Sequence, residues 1–429
     1  MIEEGARPRN ARRAAGVIAS AALVLAGCEV TNPGPVEDKF LSLSAAHQAS
    51  VTGAERQLAV ATGQIAYTTA LAAREIMPGG QTGNGGHIPI VQAGHMPVNS
   101  EGGQWQDAHQ ARWIAEEAIR RFTGGDTETV LPSVLAEAHL MAGLANRLLG
   151  ENYCEAVFDG GAAEPGIRYF ERAEKQFTDA LAAGGSTKTK NTAYAGRASV
   201  RVYLDKWTEA VSDAQQVPSG FAYMLNQDVS VRETSNHMYE GNSENIMAWT
   251  VWNTWFEGYY RDTGDPRTPW RADPSRPLAS ASLSGYGKVP LLFGMKYTSF
   301  SDDFRIASSQ EMVLIQAEAL LRQDQWSEAM TLINSIRTSV VSDLTGQPLA
   351  PWTASSIDEA WTFLKRERAI ELWIEARRMG DLRRWKADQT PGDTDWPDFE
   401  SISQLFVNYP PSECFPIPDT ERDVNQNLL

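Results

Sequence analysis

The residues best suited to ligand chemistry in this 429-residue chain are aromatic side chains gathered in its middle. They share a short segment that also carries glycines and prolines, and they are Trp249, Trp252, Trp255, Tyr259, Tyr260 and Trp270. Sugar rings present C–H faces that stack on flat aromatic rings, while their hydroxyls bond to neighbouring polar groups. The segment is therefore a candidate glycan-binding site.

These rings have a structural alternative, because large aromatic side chains are mostly buried. Residues 243–252 have the composition of a strand, and residues 253–270 are typical of turn and loop. If the strand continued, Trp249 and Trp255 would share one face and Trp252 the other, so we favour the loop that follows. The candidate ligand-binding residues are Trp255, Tyr259, Tyr260, Trp270 and Trp252.

The chain carries no common catalytic or metal-binding motif. It has no HExxH, GxSxG or GxxxxGK[ST] sequence, and its six histidines are scattered. His87 and His95 share a glycine-rich segment, but without carboxylates at a readable spacing we expect solvated loop histidines. Adjacent acids such as Asp302 and Asp303 are common in an acidic chain, although a glycosidase pair can come from remote positions. The sequence thus predicts a binding protein with no catalytic residue, metal or cofactor.

The amino terminus has the features of a secretory signal. Four arginines between Arg7 and Arg13 precede an apolar run, 14–26, that is too short to span a bilayer as a helix. The run ends in LAGC, which resembles the bacterial lipobox, whereas the alternative is an ordinary signal peptide with a chance cysteine. We predict that residues 1–27 are removed and that Cys28 carries a lipid. No later segment has the roughly eighteen apolar residues of a transmembrane helix, so we expect an anchored protein.

The net charge of -16 argues against nucleic acid as a partner. Binding to phosphate backbones requires clustered lysine and arginine. After Cys28, only Cys154 and Cys414 remain. They could pair in an oxidising compartment, but we favour two separate small buried side chains.

Most of the chain outside the aromatic segment has the composition and apolar spacing of helices. The predicted helical segments are 41–77, 105–122, 131–157, 169–183, 304–340 and 357–385. Between the first two lies 78–104, whose glycines predict a long loop. Loops of that length usually carry function or disorder.

The helical part contains a repeat. ASVRVYLDKWTEAV, from Ala198, and AEALLRQDQWSEAM, from Ala317, align without a gap at alanine, aspartate, tryptophan, glutamate and alanine. A shorter related segment begins at Tyr153. This pattern is typical of tetratricopeptide helix pairs, and the uneven spacing indicates a set of pairs within a larger domain.

The segment RERAIELWIEARRMGDLRRW, residues 366–385, mixes arginines and acids with apolar residues. Opposite charges fall three residues apart at Arg368 and Glu371, Glu375 and Arg378, and Asp381 and Arg384. Such pairs contribute roughly a few tenths of a kcal/mol each on a helix surface. Apolar residues mark the other face at Ala369, Leu372, Ala376, Met379 and Leu382. We therefore predict one amphipathic helix that packs on its own protein rather than on nucleic acid or a membrane.

Several segments resemble the SusD/RagB family of outer-membrane nutrient-binding lipoproteins. The segment 366–385 is similar to the family's ER-x-x-EL-x-x-E-G-x-R-x-x-DL-x-RW motif, with Ala376 in place of the usual glycine. The tail CFPIPDTERDVNQNL, 414–428, resembles the family's PIP-x-x-E-x-x-x-NP-x-L ending, with Gln426 in place of proline. Further matches are Ser243 to Ile246, Asp265 to Arg267, Lys296 and Tyr297, and Arg305 with Ala317 to Leu320. At Ala376, we expect alanine to favour the helix.

The resemblance implies a mainly α fold, in which tetratricopeptide-like helical pairs form a scaffold with an irregular, loop-rich subdomain. It predicts a signal peptide, 1–27, and one domain, 28–429. Within that domain, the scaffold would span about 40–220 and 301–386, and the ligand-binding portion about 221–300. It also implies a SusC-like TonB-dependent transporter as partner, a membrane anchor on Cys28, and a place on the cell surface.

The sequence therefore predicts an outer-membrane lipoprotein that captures glycans or peptides and delivers them to that transporter. The alternative is a lipid-anchored tetratricopeptide scaffold that binds only proteins. An anchored glycoside hydrolase is a less favoured third possibility.

Overall fold

The computed structural model describes residues 38–83, 85–99, 102–125, 127–230 and 232–428. The predicted signal peptide and Cys28 lie outside these described residues. Within the described ranges, no helix is both long enough and apolar enough to cross a membrane.

Helices form most of the described chain, which confirms the predicted mainly α fold. They are α1 (Asp38–Leu41), α2 (Ser44–Ala72), α3 (Pro89–Gln92), α4 (Gly102–Phe122), α5 (Pro132–Asn152), α6 (Ile167–Ala183), α7 (Thr187–Tyr203), α8 (Trp207–Ala214), α9 (His237–Asn242), α10 (Trp255–Thr263), α11 (Ser309–Leu321), α12 (Trp326–Arg337), α13 (Ile357–Glu371), α14 (Arg378–Ala387), α15 (Gln404–Asn408) and α16 (Asp419–Arg422). Short 3₁₀ turns lie at Arg232–Thr234 and Gln426–Leu428. The long helices pack one against the next, from α2 through α4, α5, α6, α7 and α8 to α11, α12 and α13.

The strands are short and pair in twos. They are β1 (Met77–Pro78), β2 (Glu155–Ala156), β3 (Glu164–Pro165), β4 (Ala222–Leu225), β5 (Trp249–Thr250), β6 (Trp270–Ala272), β7 (Leu292–Gly294) and β8 (Phe304–Ser308). The antiparallel pairs are β1 with β5, β2 with β3, β4 with β8, and β6 with β7. Two of these pairs, β1 with β5 and β4 with β8, join a strand from the middle of the chain to a strand outside it, so that region is fastened to the rest of the protein at two places.

Close helix crossings explain the small residues of the scaffold. The buried face of α6 repeats at three and four residues, and it consists of Tyr169, Phe170, Ala173, Phe177 and Ala180. The Phe177 ring fits between glycines of the two flanking helices. A Cβ on Gly143 of α5 would lie 2.6 Å from that ring, and one on Gly196 of α7 would lie 2.5 Å from it. Any side chain at either glycine would force the helices apart.

The predicted tetratricopeptide-like pairs are α7 with α8 and α11 with α12. The aspartates that align in the sequence, Asp205 and Asp324, both occupy the tight turn between paired helices, with φ of 56° and 60°. Aspartate tolerates this left-handed conformation better than most residues. The two pairs also meet, because the Arg322 guanidinium lies 4.2 Å from the Trp207 ring.

The structure corrects several predicted boundaries in the middle of the chain. Within the predicted strand 243–252, only Trp249–Thr250 is a strand, and it pairs with Met77–Pro78. The predicted loop 253–270 contains α10, because Thr254 caps a helix there and Gly264 ends it with φ of 64°. The predicted helix 304–340 begins as β8, which pairs with β4 before α11 starts.

The long glycine-rich segment 78–104 is largely packed rather than an open loop. It contains α3, and the residues around Gly80 are buried. Gly80 has φ of 84°, and a Cβ there would lie 2.3 Å from the Ser282 carbonyl carbon. The glycine is required because the two backbones touch at this point.

The prediction for Cys154 and Cys414 was wrong, since they form a disulfide with a Cα–Cα distance of 5.1 Å. Main-chain bonds place them side by side: the Cys154 amide donates to the Phe415 carbonyl, and the Phe415 amide donates to the Asn152 carbonyl. Neither cysteine is buried. Their separation of 260 residues hides this proximity in the sequence.

The segment 366–385 is two helices rather than one, which corrects the prediction of a continuous surface helix. Helix α13 ends at Glu371 and α14 begins at Arg378. Between them, Ile374 and Ala376 have φ of 51° and 62°. Alanine at 376 therefore does not extend a helix, and the glycine usual in the SusD/RagB motif suits this left-handed position better.

The charges of this segment are buried and form an ion network, not a row of surface pairs. The bonds of this buried ion network are Arg368 Nε to Asp381 Oδ2 at 2.9 Å, Arg384 Nη2 to Glu318 Oε2 at 2.7 Å, Arg377 Nη2 to Glu311 Oε1 at 2.6 Å, Arg305 Nη1 to Glu371 Oε1 at 2.6 Å, Lys296 Nζ to Glu375 Oε1 at 2.7 Å and Arg267 Nη1 to Glu367 Oε1 at 2.6 Å. Of the three predicted pairs, Asp381 with Arg384 forms. Glu371 and Glu375 instead bind residues from other elements.

Asp381 of this network stays ionised at neutral pH. Burial opposes ionisation of Asp381, but the guanidiniums of Arg368 and Arg384 outweigh it and lower the pKa of Asp381 to about 2. Glu318 is fully buried, and it also accepts a bond from the Trp385 indole N–H at 3.1 Å.

We expect Glu318→Gln to lower the free energy of unfolding by about 3–5 kcal/mol, because it leaves the buried Arg384 charge uncompensated. The control is Glu413→Gln, which breaks an exposed pair with Lys386 of α14, the helix that also carries Arg384. It should lower the free energy of unfolding by at most about 1 kcal/mol. Urea unfolding of both variants measures the difference. Equal losses of stability in the two variants would show that the buried pair contributes no more to stability than the exposed pair.

We expect Ala376→Gly to change stability by less than about 1 kcal/mol, because relief of the left-handed conformation offsets the buried methyl group that is lost. Ala369→Gly, in helical conformation within α13, should lose about 2 kcal/mol from helix propensity and the methyl group together. Both alanines are buried, so they form a matched pair for urea unfolding. If the two variants lose the same amount, the conformation at residue 376 is not strained.

Candidate functional site

Four of the five predicted ligand-binding residues lie on α10 and the neighbouring strand β6. The Thr254 hydroxyl accepts a bond from the Glu257 amide, and the Asn253 amide donates to the Glu257 carboxylate at 2.7 Å. This reciprocal pair fixes the first turn of α10. Trp255 and Tyr260 are therefore held on a short rigid helix and not on a loop.

Trp255 stacks on Tyr259, with ring centroids 4.7 Å apart and planes 13° apart. Tyr259 is buried, and its hydroxyl donates to Asp265 at 2.6 Å and accepts from Arg337 at 2.7 Å. Burial and the Asp265 carboxylate raise the pKa of this hydroxyl, so it stays protonated at neutral pH. Tyr259 thus backs Trp255 from beneath, while Trp255 remains half-buried.

Trp270 lies beside Tyr260, with ring centroids 5.9 Å apart. The Trp270 indole N–H donates to the Glu257 carbonyl at 3.1 Å, and the Tyr260 hydroxyl donates to Asp343 at 3.3 Å. Both rings are half-buried and their polar atoms are oriented by these bonds. We call Trp255, Tyr260 and Trp270, with Tyr259 beneath them, the aromatic surface.

Trp252 does not join the aromatic surface through ring contacts. Its ring lies 5.8 Å from that of the exposed Tyr286, against a separate core cluster that includes Met77 and Phe399. Trp249 is fully buried, and its indole N–H donates to the Met238 carbonyl. Because α10 begins at Trp255, the strand alternation expected across these tryptophans does not apply.

The aromatic surface is joined to the buried ion network through Arg267. Its guanidinium binds Asp265 at 2.7 Å and Glu367 at 2.6 Å, and Asp265 holds the Tyr259 hydroxyl. Asp265 is fully buried. Burial opposes ionisation of Asp265, but the Arg267 guanidinium stabilises the carboxylate more strongly, so the pKa of Asp265 is lowered.

A groove that the sequence analysis missed lies against α4. Its volume is about 460 Å³, and its walls include Trp105, Gln106, Gln110 and Trp113. Trp113 is 55% exposed, and no side-chain hydrogen bond of Gln106 or Gln110 is formed with the described residues. The sequence contains a signal for this groove, because Gln106, Gln110 and Trp113 follow helical spacing on the polar face of the predicted helix 105–122. A tryptophan on such a face is uncommon.

The histidines of segment 78–104 are not the solvated residues that we expected. The His87 ring packs on Tyr67 with centroids 4.6 Å apart, and His95 Nδ1 lies 2.9 Å from the Pro410 carbonyl. Both are half-buried. Among the described residues, no cluster of three or more histidine, cysteine, aspartate or glutamate side chains could hold a metal ion.

A model of the SusD family matches residues 301–429 of the chain. No curated protein matches this chain in sequence. Its structure is similar to that of B. fragilis NanU, with a TM-score of 0.64 and 13% identity over 92% of this chain and 97% of that one.

Two further solved structures agree with this fold. One is a SusD-like carbohydrate binding protein from Bacteroides vulgatus, with a TM-score of 0.62 and 15% identity over 90% of this chain and 97% of that one. The other is a SusD/RagB family protein from Bacteroides thetaiotaomicron, with a TM-score of 0.63 and 12% identity over 89% of this chain and 96% of that one. At these identities the likeness establishes the fold.

Proposed function

We propose that this chain is a SusD-family protein, lipid-anchored at the outer membrane, that captures glycans at the aromatic surface. The observation that carries this proposal is the set of half-buried rings at Trp255, Tyr260 and Trp270, each oriented by stacking or by a hydrogen bond. Rigid rings lose little entropy when a flat sugar face stacks on them. Support also comes from a structural neighbour that is named as a carbohydrate-binding protein.

The proposal assigns capture to the portion 221–300 and support to the scaffold at about 40–220 and 301–386. Tyr259 would act by holding Trp255, and Trp252 with Tyr286 would offer a second stacking position for a long chain. Glycan hydroxyls would bond to Glu257 and Asp343, whose carboxylates lie beside the rings. A non-enzymatic capture protein needs affinity low enough to release its cargo, and a few stacked rings provide that.

We expect Trp255→Ala and Trp270→Ala to weaken glycan binding about tenfold each, which corresponds to roughly 1.4 kcal/mol per stacked ring. The probes are soluble starch, xylan, galactomannan, mixed-linkage β-glucan and a casein peptide digest, measured by retardation in affinity gels and then by calorimetry. Thermal unfolding of each variant checks that the fold is retained.

The matched control is Trp113→Ala, which removes an exposed tryptophan from α4 and should leave binding unchanged. Loss of binding in that variant alone would place the ligand in the α4 groove and not on the aromatic surface. No binding to any probe, together with stable capture of a soluble protein, would instead favour a protein-binding scaffold. Release of sugar products from a polysaccharide would indicate a hydrolase.

The second part of the proposal is delivery to a SusC-like TonB-dependent transporter. The predicted lipid on Cys28, which lies outside the described residues, would keep the protein beside such a barrel. We expect a tagged full chain, extracted with detergent from outer membranes, to co-purify a barrel protein of this class. A Cys28→Ser chain should appear in the soluble fraction without it. Recovery of the unmodified chain in the soluble fraction, or membrane recovery with no barrel protein, would contradict this part.

A further inference from the structure

A second cavity, of about 530 Å³, lies where α13 and α14 meet the carboxyl-terminal part of the chain. This volume is within the roughly 300–1,000 Å³ of sites that hold small molecules. Its wall contains three cations, Lys365, Arg383 and Lys386, and one carboxylate, Glu413. The wall therefore carries a net charge of +2 in a chain of net charge -16.

Lys365 is a buried cation bound only by neutral acceptors. Lys365 is 3% exposed, and its ammonium donates to the carbonyls of Thr390 at 3.3 Å and Gly392 at 3.1 Å. No carboxylate of the described residues lies within 4 Å of it. Burial lowers the pKa of Lys365, as expected for a charge without a close partner.

Arg383, which also lines the cavity, likewise has no carboxylate within 4 Å among the described residues. It donates to the carbonyls of Gly150 at 2.7 Å and Tyr153 at 3.5 Å, at the carboxyl end of α5. A helix end supplies only about half of a negative charge, so the guanidinium is partly uncompensated. Burial lowers the pKa of Arg383 as well.

Three buried arginines of the same segment have carboxylate partners, whereas Arg378 donates to the Thr394 carbonyl. Arg368 binds Asp381, Arg377 binds Glu311 and Arg384 binds Glu318, each within 3 Å. Buried charges normally have such partners, since an unpaired charge in a protein interior is costly. Lys365 and Arg383 have no carboxylate partner within 4 Å among the described residues and both line the cavity, so an anion bound there would compensate their charges.

The rest of the wall suits an anion with hydroxyl groups and an apolar face. Trp396 is 40% exposed and lines the cavity next to Leu382. The side chains of Gln389, Thr394 and Trp396 carry polar atoms that have no hydrogen-bond partner among the described residues. A simple inorganic anion would leave these groups and the apolar surface unused.

We propose that this cavity binds a small sugar acid, with its carboxylate between Lys365 and Arg383 and its ring beside Trp396. Lys386 and Glu413 also line the cavity, where they form an exposed pair. The site shares no residue with the aromatic surface, so the inference does not depend on the proposed glycan capture.

Calorimetry with galacturonate and galactose tests the proposal, because the two sugars differ only in the carboxylate. We expect galacturonate to bind at neutral pH and galactose to bind at least about tenfold more weakly. The affinity for galacturonate should fall with added salt, because the attraction is between charges.

Three variants locate the site. Lys365→Met keeps the apolar stem of the side chain and should weaken galacturonate binding at least tenfold. Lys386→Gln and Trp396→Ala change exposed positions, so each should weaken galacturonate binding severalfold without unfolding the chain. Lys190→Gln removes an exposed lysine of α7 and should change nothing. Equal binding of the two sugars, no binding of galacturonate, or binding unaffected by both Lys386→Gln and Trp396→Ala would overturn the proposal. Loss of polysaccharide binding alone would bear only on the aromatic surface.

Discussion

The buried ion network is the constraint on which the arrangement of the carboxyl-terminal half depends. Each charge taken out of water needs an opposite charge in the right place, so a helix cannot shift without leaving a charge unpaired. Arg384 with Glu318 joins α14 to α11, and Arg305 with Glu371 joins β8 to α13. Apolar packing alone would tolerate small slides between these helices. The network selects one arrangement among them.

This constraint reaches the aromatic surface through a short series of bonds. Glu367 of α13 holds Arg267, Arg267 holds Asp265, and Asp265 holds the hydroxyl of Tyr259, on which Trp255 stacks. The irregular middle of the chain has few long elements of its own. Its aromatic rings are nevertheless held in fixed positions relative to the helical scaffold, because this series of bonds begins at an acid of the segment 366–385. The segment 366–385, which its sequence suggested to be a surface helix, is thus part of the support of the aromatic surface.

The sequence was informative wherever the physical cause is local. Apolar spacing located the scaffold helices, and the aligned Asp205 and Asp324 marked two equivalent turns. Four of the five aromatic candidates proved to be neighbours, although their helix was predicted as a loop because glycines and aromatic residues obscured the Thr254 cap. Burial was not visible: charges three residues apart suggest surface pairs, and only the packed structure shows that Glu371 and Glu375 are bound by distant cations. The left-handed Ala376 was hidden for the same reason, since alanine favours helix unless tertiary contacts override it.

The disulfide between Cys154 and Cys414 has a consequence for a protein displayed outside the cell. It closes a covalent ring that includes α6 to α15, the exposed turn at 343–348 and the whole irregular middle. An extracellular protease that cuts once anywhere in this ring opens it without separating the two pieces. The part that bears the aromatic surface would therefore remain attached to the amino-terminal part of the chain, and so to any lipid at its start. For the proposed lipid-anchored protein, one cut in a loop of this ring would not release the aromatic surface from the membrane.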